Sequence, residues 1–322
     1  MLLDIIIPHY NEPIEVVKPL IDILDAQKGV DFNDFRVWVV HNGDSTFNMQ
    51  TNNLLINHVR LKENGVSHAR NWGIDHSTAD WICFCDCDDC YTSIFSLMMI
   101  FHVLKDKNAD NFDLIWGSFY MHGCGPLIKS EKFNNVFIHN KYYRRSFLID
   151  HNIRFCEKLH MSEDSAFNTI VKLEVPQHRI GQINYPEPLY AWCRRPGSIT
   201  MDRSKWVYNT EGHFERNLYI LDEYNRRGLR DTNRMVVRII TDAYAMLNKI
   251  GFGGDPTAIK KRVADFYLSN KEAYESVSED ILKTTLDASD KDACITKEEL
   301  ESRPPLSDWL KGLVSDYEKD SK

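Results

Sequence analysis

The sequence predicts an α/β protein: a mostly parallel central sheet flanked by helices, followed by an α-helical C-terminal extension. Three observations predict it. Short runs of branched apolar residues alternate with helical patterns through the first 90 residues, the rhythm of a doubly wound parallel sheet. The run Trp81–Cys85 is too short for a helix and apolar on both faces, as in a strand covered on both sides, and it stops at Asp86, Asp88 and Asp89. From about Trp206 the pattern changes to long helical repeats.

Taken in order, Leu2–Pro8 (LLDIIIP) is the first strand, ended by Pro8 and a polar loop, His9 to Pro13. Pro13 suits a first helical turn, and Val17, Leu20, Ile21 and Leu24 give Ile14–Gln27 one apolar face. Phe35–Val40 is the second strand and delivers His41 to Ser45 to the same sheet edge. Val59–Leu61 is a shorter strand, and Val66–His76 is a helix leading into Trp81. Beyond the aspartates, Ser93–Leu104 reads as helix, Asp113–Met121 as strand, Val136–His139 as a further short strand and Tyr142–Asn152 as helix. Ser162–Phe167 opens a helix with acids in its first turn, where the helix dipole favours them. Pro186, Pro188, Pro196 and Gly197 mark a looped segment holding Trp192, Arg194 and Arg195. Helices are then expected over Phe214–Arg227, Met235–Ile250, Ala258–Tyr267 and Leu306–Tyr317, with a break at Gly253-Gly254. Ala288–Pro305 is polar and linker-like.

The totals exclude several classes. A net charge of −8 over 322 residues argues against a protein built chiefly to grip nucleic acid phosphates. Eight cysteines in this length do not make a disulfide scaffold. Cys83, Cys85, Cys87 and Cys90 lack paired zinc spacing, and the first two fall in a buried strand, where cysteine packs as a small hydrophobe. No leader pattern opens the sequence and no apolar stretch approaches the ~20 residues that span a bilayer. The expectation is a cytoplasmic protein without a transmembrane segment, free or peripheral at the inner face of the membrane.

Three carboxylates at a strand's carboxyl end repel one another unless a cation or a hydrogen-bond network compensates. A divalent metal carrying a substrate phosphate is the most economical occupant, since hard oxygens suit Mg²⁺ or Mn²⁺. The plain alternative is an acidic turn that ends a strand.

The ordered set of motifs resembles glycosyltransferase family 2 enzymes of GT-A fold. IIIPHYNE (Ile5–Glu12), VVHNGDS (Val39–Ser45) and ENGVSHARNWGIDHSTADWICFCDCDD (Glu63–Asp89) carry the resemblance, followed by KYYRRSFLIDHNIRF (Lys141–Phe155), SEDSAF (Ser162–Phe167) and YAWCRRPGSIT (Tyr190–Thr200). It covers about residues 1–200. It implies a GT-A domain over 1–205, with 1–105 binding the nucleotide sugar and 106–205 forming the acceptor side and closing loop. Residues 206–322 form the helical region, a candidate surface for homo-oligomers.

The resemblance also implies transfer of a hexose or N-acetylhexosamine from a UDP-sugar, with inversion. The acceptor would be a glycan or polymer hydroxyl, surface polysaccharide first among the options. Asp88 would hold Mn²⁺ or Mg²⁺ on the donor diphosphate, with Asp86 on the ribose or supporting the metal. Asp164 would be the general base, and Glu163 beside it would bind an acceptor hydroxyl or orient the base. Pro8, Tyr10 and Glu12 would line the uridine pocket, Asn42 would meet the base, and Arg70 would brace the aspartates or reach the nucleotide. Arg195 and Ser198 would clamp the diphosphate, with Arg194 the alternative to Arg195. Taken alone, each feature has a blander structural reading: an acid pair capping a helix, a packed tyrosine, a surface arginine.

Three positions depart from the family pattern. Asn42 stands where an aspartate usually accepts from uracil N3, and an amide both accepts and donates. Pro196 stands where some relatives place a metal-ligating histidine two residues before the serine of the closing loop. His9 replaces a usual apolar residue. The rivals are a non-catalytic nucleotide-sugar or glycan-binding module and, less favoured, a haloacid-dehalogenase-type phosphatase. The latter would carry its aspartate pair on the first strand. No G-x-G-x-x-G supports a dinucleotide enzyme.

Overall fold

The computed structural model describes residues 1–123, 126–195, 206–228, 232–249 and 255–320. The chain divides into two compact units, Met1–Met201 and Asp202–Lys322. The first is α/β. Strands β1 (Leu3–His9), β2 (Phe35–His41), β3 (Ile56–Arg60) and β4 (Trp81–Phe84) are parallel and stand in the order β4-β1-β2-β3. Helix α1 (Ile14–Asp25) connects β1 to β2, and α2 (Val66–His76) connects β3 to β4.

Every residue of β1 is buried, which explains its unbroken apolar run. Its one charge, Asp4, is neutralised in place. Arg36 Nε and Nη2 each donate to it at 2.8 Å, and Ser77 Oγ donates at 2.5 Å. Helix α1 buries Val17, Leu20, Ile21 and Leu24, each worth about 1.5–3 kcal/mol when fully removed from water. Helix α2 lies close on β1 because Gly73 faces Ile6; a Cβ there would come within 2.6 Å of Ile6 Cγ1.

Beyond β4 come β5 (Cys90–Tyr91), α3 (Ser96–Leu104), β6 (Leu114–Gly117), β7 (Phe119–His122), β8 (Ile128–Ser130), β9 (Lys141–Arg144) and α4 (Arg145–Asp150). Helix α5 (Glu163–Glu174) and strands β10 (Ile180–Ile183) and β11 (Tyr190–Cys193) complete the unit. The main sheet extends as β10-β6-β9-β4, with β9 antiparallel to both its neighbours. A second sheet runs β5-β11-β7-β8.

Several expectations give way here. Asp113–Met121 is two strands in different sheets, split at Ser118, whose carbonyl accepts from Asn140 Nδ2. Val136–His139 is not a strand; its backbone is irregular and runs into Asn140 with φ 51°. The helix expected from Tyr142 begins only at Arg145, because Lys141–Arg144 is drawn into the sheet between β4 and β6. Trp192 lies in a strand rather than a loop, paired with Met121.

The second unit is helical: α6 (Trp206–Arg226), α7 (Thr232–Leu247), α8 (Thr257–Ser269), α9 (Lys271–Glu275), α10 (Glu279–Asp292), α11 (Lys297–Ser302) and α12 (Leu306–Asp320). Its core joins Phe214 and Leu221 of α6 with Val236, Ile239, Ile240 and Ala243 of α7, Val263 of α8 and Leu310 and Leu313 of α12. The linker expected at Ala288–Pro305 is instead the end of α10 and all of α11. Thr296 and Glu299 form a capping box there, and Arg303 pairs with Asp290 at 2.5 Å. The Gly253-Gly254 break falls outside the described residues. Among the described residues no helix is long and apolar enough to cross a membrane.

Candidate active site

The site lies at the carboxyl ends of β1, β2 and β4. Cys85 N–H still donates to Ile6 O at 3.0 Å, so the chain leaves the sheet only at Asp86. A tight turn follows, closed by Asp89 N–H on Asp86 O at 3.0 Å, and each of its three carboxylates meets a different cation.

Asp86 meets Arg70. The α2 helix buries this arginine to 3% exposure, where Nη2 donates to Asp86 Oδ1 at 2.9 Å and Nη1 to Glu163 Oε1 at 2.8 Å. One guanidinium thus ties the turn after β4 to the first residue of α5, which lies 93 positions beyond Arg70 in sequence. Its face lies 5.2 Å from the Phe155 ring, and its Nε is buried without a hydrogen-bond partner. Burial alone would lower the Arg70 pKa. Asp86, Glu163 and Asp164 outweigh that and raise it.

Asp88 meets Arg195. Nε donates to Asp88 Oδ2 at 2.7 Å, and Nη2 stands 3.6 Å from Glu12 Oε1. Arg194 instead lays its guanidinium over Trp192, 5.7 Å from the ring centre, and leaves its Nε unpartnered. Asp89 is fully buried and anchors β11: Tyr190 OH donates to Oδ2 at 2.5 Å and Cys193 N–H to Oδ1 at 2.9 Å. The third aspartate therefore fixes the strand that presents Arg195 to the second.

His139 fills the space between these acids. Its Nδ1 lies 3.3 Å from Asp89 Oδ2, an ion-pair distance without hydrogen-bond alignment. Its ring stacks with Tyr190 and Trp192, each at an interplanar angle of 21°. Burial opposes charge on His139, yet Asp89, Asp86 and Asp164 raise its pKa. Ligand atoms of Asp86, Asp89 and His139 lie within 4.8 Å of one another. Sequence reasoning missed His139, since a single histidine in a segment read as strand gives no signal. It also missed buried Lys141, which donates to the carbonyls of Asn134 and Phe137 and so holds the segment carrying His139.

At the end of β1, Pro8 is buried, Tyr10 is 48% exposed and Glu12 accepts from Tyr10 N–H at 2.9 Å. The loops after β1 and β2 touch. A Cβ on Gly43 would fall 2.0 Å from Tyr10 O, so only glycine allows this approach. Asn42 is buried, and its Oδ1 has no hydrogen-bond partner. Ser198 lies outside the described residues.

The family model described as Glycosyl transferase family 2 matches residues 4–167, just over half the chain. The chain belongs to that family. Among solved structures, S. aureus TarS 1–349 in complex with UDP is 17% identical, with a TM-score of 0.56 over 91% of this chain and 92% of that one. The same protein in complex with UDP-GlcNAc gives 17%, a TM-score of 0.55, and 98% and 89%. A longer S. aureus TarS structure gives 18% and 0.59 over 91% of this chain and 54% of that one. These likenesses place the glycosyltransferase in the GT-A fold. No curated protein sequence matches it.

The charges of this glycosyltransferase separate its acids. Asp86 is held below the usual carboxylate range: burial would raise it, and Arg70 with His139 prevails. Asp88 is raised, first by burial and then by Asp89 and Asp86, with Arg195 opposing. Asp164 is raised to about 7, first by burial and then by Glu163, against Arg70 and His139. A carboxyl poised near neutrality is the profile of a general acid or base.

Proposed function

We propose that this chain transfers a hexose or N-acetylhexosamine from a UDP-sugar to an acceptor hydroxyl, with inversion and with Asp164 as general base. The observation that carries the reading is the Arg70 bridge. It holds Asp86, at the donor turn, and Glu163, beside Asp164, on one guanidinium. Residues 1–105 would then hold the nucleotide and 106–205 the acceptor.

Each residue has a task that follows from its surroundings. Tyr10, about half exposed, offers a ring face to the base. The unpartnered Oδ1 of buried Asn42 is the acceptor that a uracil N3–H requires. Solved complexes of S. aureus TarS with UDP and with UDP-GlcNAc support a uridine donor. Asp88 is a quarter exposed and offers hard oxygen, with Asp86 beside it, so the donor set fits Mn²⁺ or Mg²⁺. A metal held there would stabilise negative charge on the departing diphosphate. Arg195, displaced from Asp88, adds a guanidinium to the same phosphates. Asp164, once ionised, takes the acceptor proton as the hydroxyl oxygen attacks the anomeric carbon from the face opposite UDP. Glu163 is held away from that task by Arg70 and orients its neighbour.

The test is isothermal titration and thermal shift with UDP, CDP, GDP and a set of UDP-sugars, with Mn²⁺ or chelator. The expected result is Mn²⁺-dependent binding of UDP and one UDP-sugar, lost in Asp88→Asn. Binding that prefers another nucleotide, or survives Asp88→Asn unchanged, overturns the assignment.

A further inference from the structure

Three imidazoles line the sheet edge beneath the nucleotide loops, and none has a part in the chemistry above. His9 ends β1, His41 ends β2 beside it, and His58 lies on β3. His9 Nε2 is 2.9 Å from the main-chain oxygen of Glu12. His41 Nδ1 is 3.0 Å from His9 Nδ1, and His41 Nε2 is 2.9 Å from His58 Nδ1. Phe47 packs edge-on against all three rings.

The proton positions follow from the acceptor at one end. A carbonyl oxygen only accepts, so His9 Nε2 carries the hydrogen. A neutral His9 then leaves Nδ1 bare, and His41 must donate from Nδ1. That leaves His41 Nε2 bare, so His58 must donate from Nδ1. Each link is determined by the one before it. His58 Nε2 alone is left over, on a residue that is exposed.

The surroundings favour a neutral ring at His41. Burial, then His9, His58 and Arg60, push His41 down to about 4. Arg60 donates to Asp44 O, and the Glu12 carboxylate is taken by Tyr10 N–H. On α2, Arg70 faces Asp86 and Glu163, and His68 faces Glu157.

The row ends at the segment that matters for the donor. Asn42 N–H donates to His9 O, and Ser45 N–H donates to Asn11 Oδ1, so the two loops are cross-tied above the histidines. We propose that His58, His41 and His9 are positioning residues: a one-way row of hydrogen bonds that holds the Tyr10–Glu12 loop in the shape that receives the nucleotide. The role rests on the reading above that this loop lines the donor pocket.

His58 is the place to test it, because it is exposed and uses only one nitrogen. In His58→Asn the amide nitrogen takes the place of Nδ1 and still donates; in His58→Leu nothing does. Long-range ¹H–¹⁵N spectra of the wild type should show His9 protonated at Nε2 and His41 and His58 at Nδ1. His58→Leu should weaken UDP binding about fivefold, the worth of one net hydrogen bond, and speed hydrogen exchange at the Tyr10 amide. His58→Asn should restore both. The opposite tautomer at His41 overturns the row, and unchanged exchange and affinity in His58→Leu overturn its positioning role. A wild type that binds no UDP overturns the donor-site reading, while the spectra and the exchange rates still judge the row itself.

Discussion

Two stretches of one sheet edge solve the same problem in opposite ways. At the end of β4, charged groups are balanced against one another: Arg70 with Asp86 and Glu163, Arg195 with Asp88, His139 with Asp89. At the ends of β1 to β3, three histidines meet nitrogen to nitrogen in a row, which the proposal above satisfies by the order of their protons. The balanced centre shifts pKa values and so makes reactive groups. The ordered row makes a shape. On the proposed reading, chemistry and recognition are divided along the edge, and each half should fail in its own manner when one member is removed.

The largest effect is expected at Asp164. Asp164→Asn should lower kcat by about 10²- to 10⁴-fold, read as product formation at saturating donor. With Asp164 raised to about 7, wild-type kcat/KM should fall about tenfold per pH unit below neutrality and level off above it. The stability change has the opposite sign. The folded state holds this proton more tightly than the unfolded chain, so folding weakens as pH rises from about 4 to about 7. Asp164→Asn removes that penalty and should melt higher than wild type at pH 8, with the gap closing near pH 4.

Next comes the balance itself. Arg70→Met leaves Asp86 and Glu163 without their cation and should cost about 3–5 kcal/mol in urea unfolding. A loss under 1 kcal/mol would show that water, not Arg70, compensates these acids. Tyr190→Phe is milder, because Asp89 keeps the Cys193 amide. A loss of about 1–2 kcal/mol is expected, with a raised donor KM as β11 loosens its hold on Arg195. The smallest change is at the neutral edge. Asn42→Asp makes a side chain that only accepts, so the preference for UDP over CDP should widen by about three- to tenfold in competition titrations.

Much of the fold was legible because burial writes itself into composition. Helix α2 spans Val66–His76 as its sequence predicts, and β1, β2 and β4 match their apolar runs within a residue or two. Lys141–Arg144 was not legible: KYYR has no period of its own and becomes a strand only because β4 and β6 offer edges on both sides. The motif residues Asp86, Asp88, Glu163 and Asp164 could be named from their order along the chain. Their cations were harder to read. Arg70 could be named with its hold on the aspartates but not its second bond, to Glu163, and His139 reaches the acids from a segment without regular structure, through contacts distant in sequence. The histidine row shows the same limit. His9, His41 and His58 are unremarkable on their own strands, and only the register of three parallel neighbours makes them a set.

Arg195 has a consequence beyond its distance. By occupying Asp88 it is a competitor tethered to the protein itself, present at a constant local concentration that dialysis does not change. A cation arriving alone must displace it and is penalised; a cation arriving with a diphosphate gives the guanidinium somewhere to go. Metal and nucleotide should therefore bind with positive coupling, and by reciprocity each should raise the other's affinity by the same factor. If Asp88 holds the metal as proposed, its site stays closed until the substrate that needs it is present.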